Sequence, residues 1–270
     1  MDEHEKPEIP GRRVPDEYFR VKSSARVWNY WLGGKDNYAV DREAGDEYIR
    51  LYPEIVDTAI QGRQFLIRVV SYLTGEAGVR QFLDIGTGLP TMQNTHEVAQ
   101  GIAAEAKVVY VDNDPVVLAH ARALLTTTTD EGVTGYLDAD VNDPDLIVSG
   151  ASNVLDFDMP IAVMLLGILG HAAETAEQMH SITRRLMAAV PSGSYLVVQD
   201  GVDIGHQGQR QAAGLHRYHL RTLDEFDACF EGLELVDPGT VPINSWRPDL
   251  AETGHTRPLV NSRVGAGRKP

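Results

Sequence analysis

Phe82-Leu83-Asp84-Ile85-Gly86-Thr87-Gly88 is an apolar strand that carries one acid and runs into two closely spaced glycines. Further on, Lys107-Val108-Val109-Tyr110-Val111-Asp112 is a second apolar strand ending in an acid. Lacking a Cβ, the glycines let backbone pass close to a bound molecule, and Asp112 offers a carboxylate to ribose hydroxyls. This is the pattern of an adenosine site.

Two cofactor classes use that pattern, dinucleotides and S-adenosylmethionine. The dinucleotide form wants G-x-G-x-x-G, whose third glycine packs the helix beneath a pyrophosphate. Here Gly86-Thr87-Gly88 is followed by Leu89-Pro90-Thr91, so the helix cannot begin in that register. Asp84 and Asp112 are also further apart than the ~20 residues of the dinucleotide fingerprint. A sulfonium amino acid asks for backbone contacts and a carboxylate, and Asp84 suits its amino group.

A third strand is expected over Gly135-Tyr136-Leu137-Asp138-Ala139-Asp140-Val141. At its end Asp140 would accept from an exocyclic adenine amine while the Val141 amide meets a ring nitrogen. Asn113 follows the ribose acid, and Asp114-Pro115 reads as a cap and first turn of the next helix.

Longer words then match a known family. Ser24-Ala25-Arg26-Val27-Trp28-Asn29-Tyr30-Trp31-Leu32-Gly33-Gly34-Lys35-Asp36-Asn37-Tyr38, Arg80 through Thr91, His96-Glu97-Val98-Ala99, Val108 through Pro115 and Trp246-Arg247-Pro248 resemble the bacterial S-adenosyl methyltransferase family formerly catalogued as a domain of unknown function. The resemblance implies a class I (Rossmann-like) methyltransferase fold and S-adenosylmethionine as cofactor, and supplies no substrate. Leu169-Gly170-His171 departs from the family's Leu-His pairing.

Bulk properties agree with an enzyme of small molecules. The 270 residues suffice for one large domain, and the net charge of −15 repels phosphate backbones, which argues against nucleic acid as acceptor. The start, Met1-Asp2-Glu3-His4-Glu5-Lys6, lacks a secretory pattern, and no apolar run reaches the ~20 residues of a membrane span. With Cys229 the sole cysteine, neither a disulfide framework nor a thiolate metal cage is expected. His216-x-x-His219 has no local third ligand, so no metal is expected, and a cytoplasmic location follows.

Residues 1–20 read as a disordered tail, 21–78 as a helical N-terminal cover, 79–250 as the S-adenosylmethionine-binding domain and 251–270 as a C-terminal tail. Within the cover, Ser23 or Ser24 starts a helix stopped by Gly33-Gly34, and a second helix runs from Asp41 to Leu51. Ile55, Ala59, Gly62, Leu66, Val69 and Leu73 mark one face of a third. From Gln81 apolar strands alternate with helices, the mark of a parallel sheet covered on both faces, and seven strands are expected. Leu233–Val236 and Val241–Trp246 are expected to form the closing pair. Asn94-x-x-Glu97 and Thr222-x-x-Glu225 read as capping boxes.

Ligands of such sheets bind beyond the carboxyl ends of the strands. Asp84, Gly86, Thr87, Gly88, Asp112, Asn113, Asp140, Val141 and Gly167 are therefore the expected cofactor residues. From the cover, Arg26, Tyr30, Gly34, Lys35, Asn37 and Tyr38 are candidates for substrate or lid contacts, while Trp28 and Trp31 read as core. Methyl transfer from a sulfonium makes a base optional, and His171 and Asp200 are the candidates if one is used. Their plain alternatives are a helix cap and a strand-end turn. Gly201–Arg221 reads as an acceptor-selecting insert. Two rival functions share much of this pattern: a non-catalytic S-adenosylmethionine-binding or sensing protein, and a NAD(P)-dependent oxidoreductase.

Overall fold

The computed structural model describes residues 16–90, 93–124, 127–203, 218–248 and 260–270. Three helices precede the sheet: α1 (Ser24–Trp31), α2 (Ala39–Leu51) and α3 (Ile55–Gly75). Ser23 sits extended at the start of α1, and Gly33 beyond its end takes a φ of 75°, the left-handed stop that glycine adopts without penalty. Of the tail expected over 1–20, Asp16–Arg20 instead form a 3-10 turn, and residues 1–15 lie outside the described residues.

Strands and helices then alternate: β1 (Gln81–Ile85), α4 (Thr95–Ile102), β2 (Lys107–Asp112), α5 (Pro115–Leu124), β3 (Val133–Asp138), α6 (Pro144–Ala151), β4 (Ala162–Leu166), α7 (Leu169–Ala172), α8 (Ala176–Ala189), β5 (Tyr195–Gly201) and α9 (Leu223–Asp227). Both capping boxes form, with Glu97 Oε2 accepting from the Asn94 amide at 2.6 Å and Glu225 Oε2 from the Thr222 amide at 2.8 Å. β3 ends at Asp138, so Asp140 stands in the loop beyond the strand rather than at its tip.

With β6 (Glu234–Leu235), β7 (Val241–Pro242) and β8 (Ser262–Arg268) following α9, the sheet order is β3-β2-β1-β4-β5-β8-β6, with the first five strands of that order parallel. It is the mixed α/β class I sheet that the resemblance implies, with eight strands where seven were expected. The difference lies at the C-terminus. β6 and β7 do not pair with each other; each pairs antiparallel with β8, which runs antiparallel along β5. Much of the expected tail over 251–270 is thus an interior strand, while residues 251–259 lie outside the described residues. Among the described residues, no helix is long and apolar enough to cross a membrane.

Each face of the sheet has its own core. One gathers Leu83, Val109, Val163 and Val198 under α6, α8 and α9, and the other gathers Phe82, Val108, Met164 and Val197 under α3 and α4. Alternate residues of one strand supply opposite faces, as the pleat requires. A third, smaller cluster of Val27, Trp31, Tyr52, Ile55 and Ala59 holds α1, α2 and the start of α3 together.

Candidate functional site

A crevice of about 260 Å3 opens where β1, β2 and β4 end. Asp84, Gly86, Thr87, Gly88, Asp112, Asn113 and Gly167 all line it. Opposite them stand Ser24, Trp28 and Asn29 from α1, and Ala59, Gly62, Arg63 and Leu66 from α3. Those four α3 residues are spaced as one stripe of a helix, so a single face of α3 forms a wall.

Asp84 is buried and accepts from Thr95 Oγ1 at 2.6 Å. Burial pushes its carboxyl up to about 6; the Thr95 hydroxyl and the Arg63 guanidinium favour the ionised form, and the Asp112 charge opposes it. Burial likewise lowers Arg63, with Asp84 the largest opposing influence. A carboxylate and a guanidinium thus face one cavity, each sustaining the other's charge.

Asp112 accepts from the Gly88 amide at 3.0 Å through Oδ2 and from the Asp114 amide at 2.9 Å through Oδ1. Its carboxyl is also raised by burial, and those amides counter the shift. Each oxygen keeps a lone pair for a further donor. Asp140 is exposed and does not line the crevice; its Oδ2 accepts from Asn113 Nδ2 at 3.0 Å, which puts it behind the rim. The Val141 side chain is buried in the core, so its expected contact could involve only backbone.

The glycines divide by cause. Gly88 (φ 62°) and Gly167 (φ 79°) hold left-handed backbone, and a Cβ on either would meet nothing within 4 Å. Gly86 (φ 73°) is different, because a Cβ there would lie 2.5 Å from Ile168 Cγ1. It permits close packing between the ends of β1 and β4.

The candidates from the cover segment are structural. Arg26 and Asp41 form a buried ion pair at 2.7 Å, and Arg26 also donates to the Val21 carbonyl, with its guanidinium 4.5 Å from the Tyr18 ring centre and 5.2 Å from that of Tyr38. Asn37 Nδ2 donates to Asn29 Oδ1 and to the Gly34 carbonyl, both at 2.9 Å, while Arg42 donates to Asn37 Oδ1 at 3.0 Å. Tyr30 turns outward to Asp46 at 2.7 Å, and Lys35 is exposed. None of Arg26, Tyr30, Gly34, Lys35, Asn37 or Tyr38 lines the crevice. Arg26 and Asn37 spend most of their hydrogen bonds on the segment around the turn between α1 and α2. Trp28, expected as core, lines the crevice instead.

A smaller cavity of about 70 Å3 adjoins the crevice, sharing Ser24, Trp28, Gly167, His171 and Gln199 with it. His171 therefore stands at the junction, edge-on to Tyr218 with ring centres 4.7 Å apart. Asp200 has no exposure and lines neither cavity. Its carboxylate accepts from the Gly170 amide and the Gly201 amide, each at 2.8 Å, and from the Tyr218 hydroxyl. Burial raises it to about 6 despite these donors. Its place is under Tyr218, outside both cavities.

Sequence reasoning missed Arg63, Trp28 and Gln199. A charge inside the apolar stripe of α3 was a signal for Arg63. For Gln199 the signal was Gly62, whose absent Cβ would lie 3.2 Å from the Gln199 amide. Among the described residues, no group of three His, Cys, Asp or Glu could hold a metal; His206 and His216 lie outside them, as does most of the expected insert.

A family model described as S-adenosyl methyltransferase matches residues 18–270. A DUF574 family protein from Streptomyces avermitilis MA-4680 is 40% identical, with a TM-score of 0.86 over 93% of this chain and 99% of its own. A putative methyltransferase from Thermobifida fusca YX is 38% identical, with a TM-score of 0.80 over 92% of this chain and 95% of its own. No curated protein matches the chain.

Proposed function

The chain belongs to the S-adenosyl methyltransferase family, and from that premise we propose that the crevice binds S-adenosylmethionine and that the methyl acceptor is a small molecule. The observation that carries the reading is the convergence of Asp84, Arg63 and Asp112 with bare glycine backbone on one crevice. The donor set fits the cofactor. A zwitterionic amino-acid end asks for an anion and a cation together, which Asp84 and Arg63 supply; a ribose diol asks for a paired acceptor, which Asp112 supplies. The open sides of Gly88 and Gly167 leave room for the chain between them.

When bound, S-adenosylmethionine brings a methyl group already activated on a sulfonium. The protein's part is to position and to exclude water. Asp84 and Arg63 orient the amino-acid end, Asp112 fixes the sugar, and Trp28 with the α3 stripe covers the crevice on the side away from the sheet. Residues 21–78 act as that cover.

The net charge of −15 and the modest size of both cavities favour a small acceptor over nucleic acid. Calorimetric titration with S-adenosylmethionine, S-adenosylhomocysteine and NADH tests the reading. Binding of the first two alone is expected; binding of NADH alone would overturn it. Release of S-adenosylhomocysteine only when a small-molecule cell extract is added is the expected turnover, and release with macromolecular fractions alone would overturn the acceptor class.

A further inference from the structure

We propose that the smaller cavity is the acceptor site, that it takes a planar hydroxyaromatic molecule of neutral or negative charge, and that His171 receives the hydroxyl proton. The inference rests on the donor reading of the adjoining crevice. The two cavities meet at Gly167, His171 and Gln199, so a molecule in the smaller one abuts the larger. That shared wall is what makes the smaller cavity an acceptor site rather than an isolated void.

Shape and lining choose the ligand class. Trp28, Trp31, Tyr48 and Tyr218 all contribute to a space about a quarter the size of the crevice. Trp28 packs against Trp31 at 5.4 Å, and Trp31 against Tyr48 at 5.2 Å, both edge to face, so the wall is a set of rings locked by one another. Such a wall suits one flat ring. Among the described lining residues there is no carboxylate, and Lys22 is present. An ammonium entering there would lose its water with no carboxylate among the described lining residues to meet it, whereas an anion would gain Lys22. The faces of the rings offer a cation some attraction, but Lys22 opposes it.

His171 is set for the proton. The fully buried Asp200 holds the Tyr218 hydroxyl and the amide of Gly170, the residue before His171, and the Tyr218 ring stands edge-on to the imidazole. Both neighbours of His171 are therefore fixed from below by one carboxylate. In the step itself the acceptor oxygen forms a bond to the methyl carbon as the carbon–sulfur bond breaks. Sulfur keeps that electron pair, and the hydroxyl proton passes to the imidazole, giving an aryl methyl ether, neutral S-adenosylhomocysteine and an imidazolium.

The test uses the full chain and three para-substituted phenols that differ chiefly in charge: para-cresol, para-hydroxybenzoate and para-hydroxybenzylamine. S-Adenosylhomocysteine is titrated first, and each probe is then titrated into the loaded protein by calorimetry. The expected result is that cresol and hydroxybenzoate bind at least about tenfold more tightly than the amine. Thr58→Leu, which adds bulk to the cavity wall, should abolish probe binding while S-adenosylhomocysteine still binds; Trp28→Leu should weaken it about tenfold, with melting curves reporting whether that variant folds. His171→Gln should bind the probes as the parent does, yet methylate them about a hundredfold more slowly and lose the rise of rate with pH that a proton-accepting imidazole imposes. Tightest binding by the amine, or no probe binding to loaded protein, overturns the acceptor site and leaves the donor site standing. Failure of S-adenosylhomocysteine to bind overturns the donor reading, and the acceptor site falls with it.

Discussion

The phenolic oxygen of Tyr18 lies 2.6 Å from both carboxylate oxygens of Asp114, joining the turn ahead of α1 to the cap of α5. Ser23 Oγ donates to the same carboxylate at 3.1 Å. Asp114 also accepts from the Val116 amide at 2.9 Å, so it starts α5 and anchors the cover with one side chain. Because Asp114 lines the donor crevice, the tether sits at its rim.

Tyr18→Phe should therefore loosen the cover without emptying any packing. A hydrogen bond to a charged group contributes about 1.5–3 kcal/mol when protected, and half-burial here reduces that to about 1 kcal/mol. The expected result is a slightly lower denaturation midpoint and faster release of S-adenosylhomocysteine in stopped-flow displacement. Unchanged release would separate the tether from donor binding.

Asp112→Ala removes both acceptors proposed for the sugar. Donor affinity should fall by about 1–3 kcal/mol, read by calorimetry. Asp112 also holds the Gly88 and Asp114 amides, so some loss of stability is expected alongside. An Asp112→Ala protein that keeps parental affinity would remove this carboxylate from the site.

Gly167→Val and Gly86→Ala should fail for different reasons. The side chain at Gly167 would enter open crevice, so donor binding is lost while the protein stays folded, less about 1–2 kcal/mol for a left-handed backbone. At Gly86 the new Cβ meets Ile168, so stability falls first. Adding Ile168→Ala to Gly86→Ala should recover part of that loss, and thermal melts of the double variant check it. No recovery would mean that the backbone conformation, not the Ile168 contact, sets the requirement.

What the sequence disclosed followed how local each signal was. The capping boxes at Asn94 and Thr222 and the stripe on α3 are read within one turn of helix, and they formed as expected. β8 was illegible for the opposite reason. Ser262-Arg263-Val264-Gly265-Ala266-Gly267-Arg268 has the look of a polar tail, yet Gly265 and Gly267 are there because Phe230 and Leu233 press against the strand, where added Cβ atoms would sit 2.9 Å and 3.0 Å away. Only the folded chain brings those partners together. The word around Arg26 and Asn37 misled in another way, since a dense run of polar groups reads the same whether it faces a ligand or satisfies itself. Arg63 was hidden because its partner, Asp84, lies on a different element.

The two buried acids give a pH prediction in which stability and binding move oppositely. Asp84 titrates near 6 in the folded protein against 3.8 for an ordinary aspartate, so the native state holds its proton where the unfolded chain has released it. Between about pH 4 and 6 the unfolded state binds fewer protons, and stability falls as pH rises through that window, then levels. Asp200, also near 6, adds a second contribution of the same sign. Each amounts to roughly 2–3 kcal/mol. Donor affinity has the reverse slope, because an ammonium pairs with Asp84 only when the carboxylate is ionised; it should rise with pH and level above about 6. Asp84→Asn should flatten most of the affinity profile, leaving the part that the raised Asp112 carboxyl imposes, and only part of the stability profile, since Asp200 remains. Asp200→Asn should flatten a comparable part of the stability profile and leave the slope of donor affinity intact. Denaturant melts and S-adenosylhomocysteine calorimetry across the same pH series check both, and an affinity slope undiminished by Asp84→Asn would assign the amino group to another partner.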